Sequence, residues 1–595
     1  MVGDETSEDH DISDVDDHDN DISGDSEPGA EPGAGEVGHP DVGDADSADD
    51  AGSPDDADLK QVVSVYARRR VLVALGFGAA NLAVGGFLGR GRSTVEAVPT
   101  TTTEVATPPA GPTRVASKIA VADPPELANA VAAPGPGHRH QLVIANGRVI
   151  DPATGFDEVA HLGIDDGVIV SLSIEPLVGE QTIDSTGRVV APGFIDLLSY
   201  EPNSFGVWRK LADGVTSNLA MHGISNYARP FFARYEEKSP IHFGGAFSHN
   251  FIRAALLGAD IGDELEDPQL AELGDAAVEA MADGMAGLSF SPEYSPGTTF
   301  DEMVHLAELA VEAGHVGFFH VRHSDPDEPG TSIDAVIEVL EIARRTGLSV
   351  HIEHLASTGG THVMPEVLEK LNDARSNGID VTACVYPYDF WATFLASSRF
   401  APGWRERYRI DYDDLQIAGT DQTLTADTFE TAKAENKLVA ALDSIPEDDV
   451  RLALAEPWMM VASDAILEPG LNNHPRASGT FARTIRRYST ESNLLELSDA
   501  LAKMTILPAR RLEGMIPAMA RKGRMQRGAD ADVVVFDPAK ISDRATVTEP
   551  GLTSVGIDHV IVDGRVALES GVANTEILAG TPLKSVATRS NTSGR

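Results

Sequence analysis

Four apolar stretches of this sequence end in side chains that can hold a metal or move a proton. GFFH ends in His320, VHIEH in His354 and MMVASD in Asp464, while His222 follows GVTSNLAM. Three imidazoles are a common ligand set for a catalytic zinc that keeps one position open for water. A carboxylate beside such a site can take a proton from that water and return it to a departing amine. Other candidates carry less chemistry. The only cysteine, Cys384, lies inside VTACVYP and reads as a buried residue, because no general base can be assigned to it. Tyr386 and Tyr388 read as wall. Arg322 either grips a substrate carboxylate or pairs with Asp325, and His249 in AFSHNFIR either lines a pocket or belongs to a loop.

The elements that must position these groups alternate. Runs such as VGFFHV, LSVHIEHL, IDVTACVYP and WMMVASD read as strands. Between them, DEMVHLAELAVEAG and IDAVIEVLEIARRTG place apolar residues at helical spacing. Alternating β and α over residues 191–522 predicts an α/β fold, a (β/α)8 TIM-like barrel whose functional groups project from the C-terminal ends of the strands. Short β-rich segments bracket it, at 139–190 and 523–575, and predict a small β-sandwich. Asn146-Gly147 and Asp166-Gly167 are read there as hairpin turns. An insertion at about 390–457, with a helix near Leu424 to Leu442, predicts either a lid or a structural subdomain remote from the site.

The 595 residues carry 93 Asp+Glu against 46 Lys+Arg, a net charge of -47 that excludes nucleic acid as a partner of the bulk surface. A single cysteine excludes an intramolecular disulfide framework. Residues 1–59 hold 22 of the acidic side chains and no Lys or Arg, which predicts a disordered tail. Residues 60–92 contain Arg68-Arg69-Arg70 and then nineteen uncharged residues, 71–89, enough for about 28 Å of helix. This reads as a twin-arginine-like export signal or membrane anchor, placing the rest of the chain outside the cytoplasm, unless the N-terminus is mis-assigned and the protein is cytoplasmic. Residues 93–138, rich in Thr and Pro, read as a linker.

Beyond single residues, longer phrases resemble the amidohydrolase superfamily, and within it the N-acyl-D-amino-acid deacylases, or D-aminoacylases. They are Ala191-Pro192-Gly193-Phe194-Ile195-Asp196, DGVTS (213–217), MAGLSFSPEYSPG (285–297), HVRHSD (320–325), HIEHLAS (351–357), IDVTACVYPYD (379–389), SDAILEPGLNNHPRASGTFAR (463–483) and GADADVVVFDP. The resemblance runs from about Gln141 to Gly571. It implies zinc ligation by His320 and His354, a general base and acid at Asp464, and His474 and Arg476 near the substrate. His222 occupies the place nearest the family's third ligand, a Cys or Glu.

Two departures accompany it. The family's first barrel strand ends in His-x-His, where this chain reads Leu198-Ser199-Tyr200, so at most a one-metal site is expected. Ala356 stands where the family often has a substrate-contacting lysine. The resemblance implies hydrolysis of a small linear N-acyl amino acid. The departures keep two alternatives in view: a non-catalytic binding protein on the same fold, and a hydrolase of cyclic amides or esters.

Overall fold

A computed structural model describes Leu127 and residues 130–586, except 226, 327–329 and 469–472. The acidic tail, the apolar segment 71–89 and most of the linker lie outside the described residues. Among the described residues no helix is long and apolar enough to cross a membrane.

Eight parallel strands run in sequence order: Phe194–Asp196, Val215–Ile224, His242–Ser248, Gly287–Phe290, Val316–Phe319, Ser349–Ile352, Val381–Val385 and Met460–Val461. The last returns to the first through the Asp464 amide, which donates to the Leu198 carbonyl at 2.7 Å. This is the TIM-like barrel that the alternating sequence predicts. Helices follow the strands where the apolar spacing places them. Thr331 and Asp334 cap the helix Ser332–Thr346 reciprocally at its N-terminus, and Gly347 ends it in the left-handed region at φ 78°. Val336, Val339 and Ile342 bury its inner face against the strands.

The bracketing segments meet in one hydrogen-bonded network of nine strands, with Val189–Pro192 pairing antiparallel to Val533–Phe536. Its core is aliphatic, including Ile144, Leu162, Ile183, Val533 and Ile561. Asp166-Gly167 turns the chain as expected, between strands Phe156–Asp165 and Val168–Ser173. Asn146-Gly147 does not. It lies within the strand Arg139–Asp151, where Asn146 at φ 61° absorbs a register shift against the neighbouring strand.

The insertion folds around a three-stranded antiparallel sheet, Trp391–Phe394, Leu438–Ala441 and Leu415–Ile417. The helix expected near Leu424 to Leu442 covers only Ala426–Ala434. Asn436 in the left-handed region at φ 49° turns the chain, and the apolar run after it becomes the strand Leu438–Ala441.

Lys503 is buried beneath the last barrel strand and donates to the carbonyls of Glu456 and Met459. Burial lowers its ammonium to about 7. The unfolded chain holds that proton up to about pH 10, so between about pH 7 and pH 10 the unfolded state binds more protons. Stability is expected to rise with pH over that window, and Lys503→Met to flatten the rise. Urea midpoints across the window check it, and equal slopes in the two proteins would refute it.

Candidate active site

The side chains at the C-terminal mouth of the barrel converge. His222 lies on its strand, His320 follows Phe319, and Glu353 and His354 follow Ile352. One donor atom from each of these four lies within 4.8 Å of the others. His320 Nδ1 faces His354 Nε2 at 3.1 Å, and His222 Nδ1 meets Glu353 Oε2 at 2.5 Å. Asp464 Oδ2 stands 3.9 Å from His354 Nε2. Two of these residues hold backbone angles that L side chains rarely adopt, His354 at φ 30° and Asp464 at φ 51°. Such strain persists only where the surroundings over-determine it, and it concentrates at functional sites.

Each charge has a physical cause. Burial pushes His354 well below the ordinary histidine value, so the ring is neutral and free to ligate. Burial would also lower His222, but the adjacent Glu353 carboxylate outweighs it and raises the ring. Glu353 is itself raised by burial, against the pull of His222. Burial would raise Asp464 too, but Arg476, whose Nη2 is 2.9 Å from Oδ2, holds it below the usual carboxylate range.

The loop carrying Asp464 is fixed from below. Asp196 accepts from Lys210 Nζ at 2.6 Å, from the Ser463 amide at 2.9 Å and from the Ser463 hydroxyl at 2.6 Å, all buried.

A second carboxylate reaches the cluster from outside. Glu293 Oε2 lies 2.5 Å from His320 Nε2, the nitrogen turned away from His354, and Glu293 Oε1 accepts from Ser324 at 2.8 Å. Arg399, on the insertion, sits 3.2 Å from Glu293 and donates to the Ser357 carbonyl at 2.7 Å. Burial opposes ionisation of Glu293, but Arg399 and His320 hold it at about 2. The insertion therefore touches the site.

Of the residues singled out from sequence, His222, His320, His354, Asp464 and Arg476 come together. His474 stands behind Arg476: its Nδ1 accepts from the Arg476 amide at 3.0 Å, its Nε2 donates to the Phe390 carbonyl at 2.9 Å, and its ring stacks on Phe390. Both ring nitrogens are used, so His474 positions Arg476. Two candidates go elsewhere. Arg322 pairs with Glu338 at 3.0 Å, while Asp325, its expected partner, pairs with Arg407. His249 is buried against Glu302 at 2.6 Å, in an ion network with Arg253. Leu198 is packed in an apolar cluster with Leu219 and Met221, and Tyr200 turns its hydroxyl to Asp464 at 3.4 Å. Cys384 is buried, its thiol pushed up by burial.

Glu353, Glu293 and Arg399 were not anticipated. The signal for Glu353 is its period-two spacing from His351, whose register partner Phe318 lies in the barrel interior. On a straight strand consecutive residues face opposite sides, so only the turn at His354 lets both point inward.

The donor set fits a divalent metal. Glu353 Oε1 is buried without a hydrogen-bond partner, and three imidazoles and a carboxylate suit zinc. Comparisons with known proteins agree with the fold. The amidohydrolase family model matches residues 231–568. N-acyl-D-glutamate deacylase from Alcaligenes xylosoxydans xylosoxydans is 30% identical over 464 residues, spanning 71% of this chain and 92% of that one. D-aminoacylase from the same organism is 28% identical over 71% of this chain and 93% of that one. The crystal structure of N-acyl-D-glutamate deacylase from Bordetella bronchiseptica, complexed with zinc and a phosphonate mimic of the tetrahedral intermediate, superposes with a TM-score of 0.65 at 26% identity, covering 75% of this chain and all of that one. These relatives favour the enzymatic reading over the non-catalytic one. The chain belongs to the amidohydrolase family, on its D-aminoacylase-like branch, and is a hydrolase of carbon–nitrogen bonds other than peptide bonds.

Proposed function

We propose that the protein deacylates linear N-acyl-D-amino acids with one zinc ion held by His222, His320 and His354, and with Glu353 beside them balancing the ion's charge. The observation that carries this is the convergence of those four donors within 4.8 Å, next to an Asp464 held ionised by Arg476. When bound, the zinc would polarise the amide carbonyl and make its water acidic enough to attack at neutral pH. Asp464 accepts the proton of the attacking water and delivers it to the departing nitrogen. Glu293, on the far nitrogen of His320, orients that imidazole so that Nδ1 faces inward.

Arg476 holds the substrate carboxylate. Its Nε and Nη1 are buried without partners, and its guanidinium lies over the Tyr386 ring. Arg322, Arg399 and Arg407 each pair with a carboxylate of the protein, so we infer one carboxylate on the substrate and a neutral side chain. The test is a panel of N-acetyl-D-amino acids. The kcat/KM for N-acetyl-D-leucine is expected to exceed that for N-acetyl-D-glutamate by about tenfold or more, the scale on which unpaired groups discriminate. Release of amine from none of them would defeat the proposal, and preference for the glutamate would defeat the side-chain inference.

Glu293 should matter without touching substrate. Glu293→Gln is expected to weaken zinc binding by about 10–100-fold, the usual cost of losing an outer carboxylate partner. Chelator competition reads this directly, and unchanged zinc affinity would remove Glu293 from the site.

A further inference from the structure

A second cluster of metal-type donors lies far from this chemistry in sequence, where the first strand of the nine-stranded sheet begins. His140 is the second residue of that strand and His138 stands just before its start. Across from them, at the end of the neighbouring strand, is Asp165. His138 Nε2 and His140 Nδ1 both meet the same oxygen, Asp165 Oδ2, at 2.8 and 2.9 Å. The three donor atoms lie within 4.8 Å of one another.

The cluster is held in place on several sides. The other Asp165 oxygen accepts from the Gln141 amide at 2.8 Å, which fixes the carboxylate. His140 is buried, its side chain 2% exposed, while His138 and Asp165 are 41% and 18% exposed. The His140 ring lies so close over Gly163 that a Cβ there would come within 2.5 Å of Nε2. A side chain at residue 163 would push the ring out of its slot. One ligand is thus buried and rigid, one is anchored through its second oxygen, and one is at the surface, leaving the approach from solvent open.

We propose that His138, His140 and Asp165 form a surface site for a divalent transition metal, separate from the catalytic cluster. Two imidazoles and one carboxylate suit zinc, nickel or copper and leave further positions for water. Imidazole nitrogens bind such ions at about 2.0–2.1 Å, so small side-chain rotations that release the shared carboxylate oxygen bring the three donors onto one ion. The bound ion ties the start of the first strand to the end of the next.

The full-length protein, with its catalytic site first filled with zinc and loosely held ions removed, is titrated with Ni²⁺ and with Cu²⁺. The wild type is expected to take up an equivalent that His138→Ala and Asp165→Asn bind at least about tenfold more weakly. Hydrolysis by both variants should match the wild type, which separates this site from the catalytic one. Binding by other histidines of the chain is common to all three proteins and cancels in the comparison. Equal uptake by the wild type and both variants, or no uptake by the wild type below millimolar metal, would overturn the proposal.

Discussion

Asp464→Asn is expected to lower kcat by about 10²–10⁴, the range a positioned general acid–base residue supplies, while zinc content stays at the wild-type level. The amide is nearly isosteric but cannot accept the proton of the attacking water. Asp464 stands 3.9 Å from His354 and is not needed to assemble the imidazoles, so metal and chemistry should separate cleanly in this variant. The substitution also leaves the buried Arg476 without its charge partner, and breaking a buried pair costs about 3–5 kcal/mol. Thermal melting of the loaded protein therefore belongs beside the rate measurement. A variant that melts below the assay temperature says nothing about chemistry, whereas a folded, zinc-loaded variant with wild-type kcat would remove Asp464 from the mechanism.

Stripping the metal should have the other large effect. A chelator is expected to abolish hydrolysis and to lower the melting temperature, with both restored by added zinc. A ligand present at 100 to 1,000 times its Kd stabilises a fold by about 2.7–4 kcal/mol, and that contribution disappears with it. Here the loss is compounded, because Glu353 Oε1 is left buried without a partner. His354→Ala should resemble the stripped protein and resist rescue by zinc. Full activity after exhaustive chelation, verified by metal analysis, would refute a metal mechanism.

Much of this site could be read from sequence because a parallel barrel fixes where functional groups go. His320 and Asp464 were legible as ends of apolar runs, and the phrase around His474 and Arg476 carried the family likeness. What escaped notice depended on single backbone angles or on contacts between remote segments. Glu353 follows the inward face of its strand, and His354 joins it there only because its own backbone turns at φ 30°. Glu293 and Arg399 are 106 residues apart, and their pairing requires the insertion to fold back over the barrel mouth. Asn146-Gly147 misled for a related reason. The dipeptide supplies the left-handed residue that a hairpin needs, and a bulge inside a strand uses the same conformation. Arg322 and His249 had the right chemistry, but nearby carboxylates on the surrounding helices satisfy them.

The nine-stranded sheet also constrains how the protein is born. Val189–Pro192 finds its antiparallel partner only in Val533–Phe536, and that strand pairs in turn with Ile557–Val562. A ribosome that has completed the barrel still holds the other half of the sheet, so the early strands wait with an apolar edge unpaired, the state in which nascent β structure aggregates. Closure of the sheet thus follows synthesis of the barrel, and a chain lacking residues 533–562 would remain at that stage, even with every catalytic side chain already synthesised.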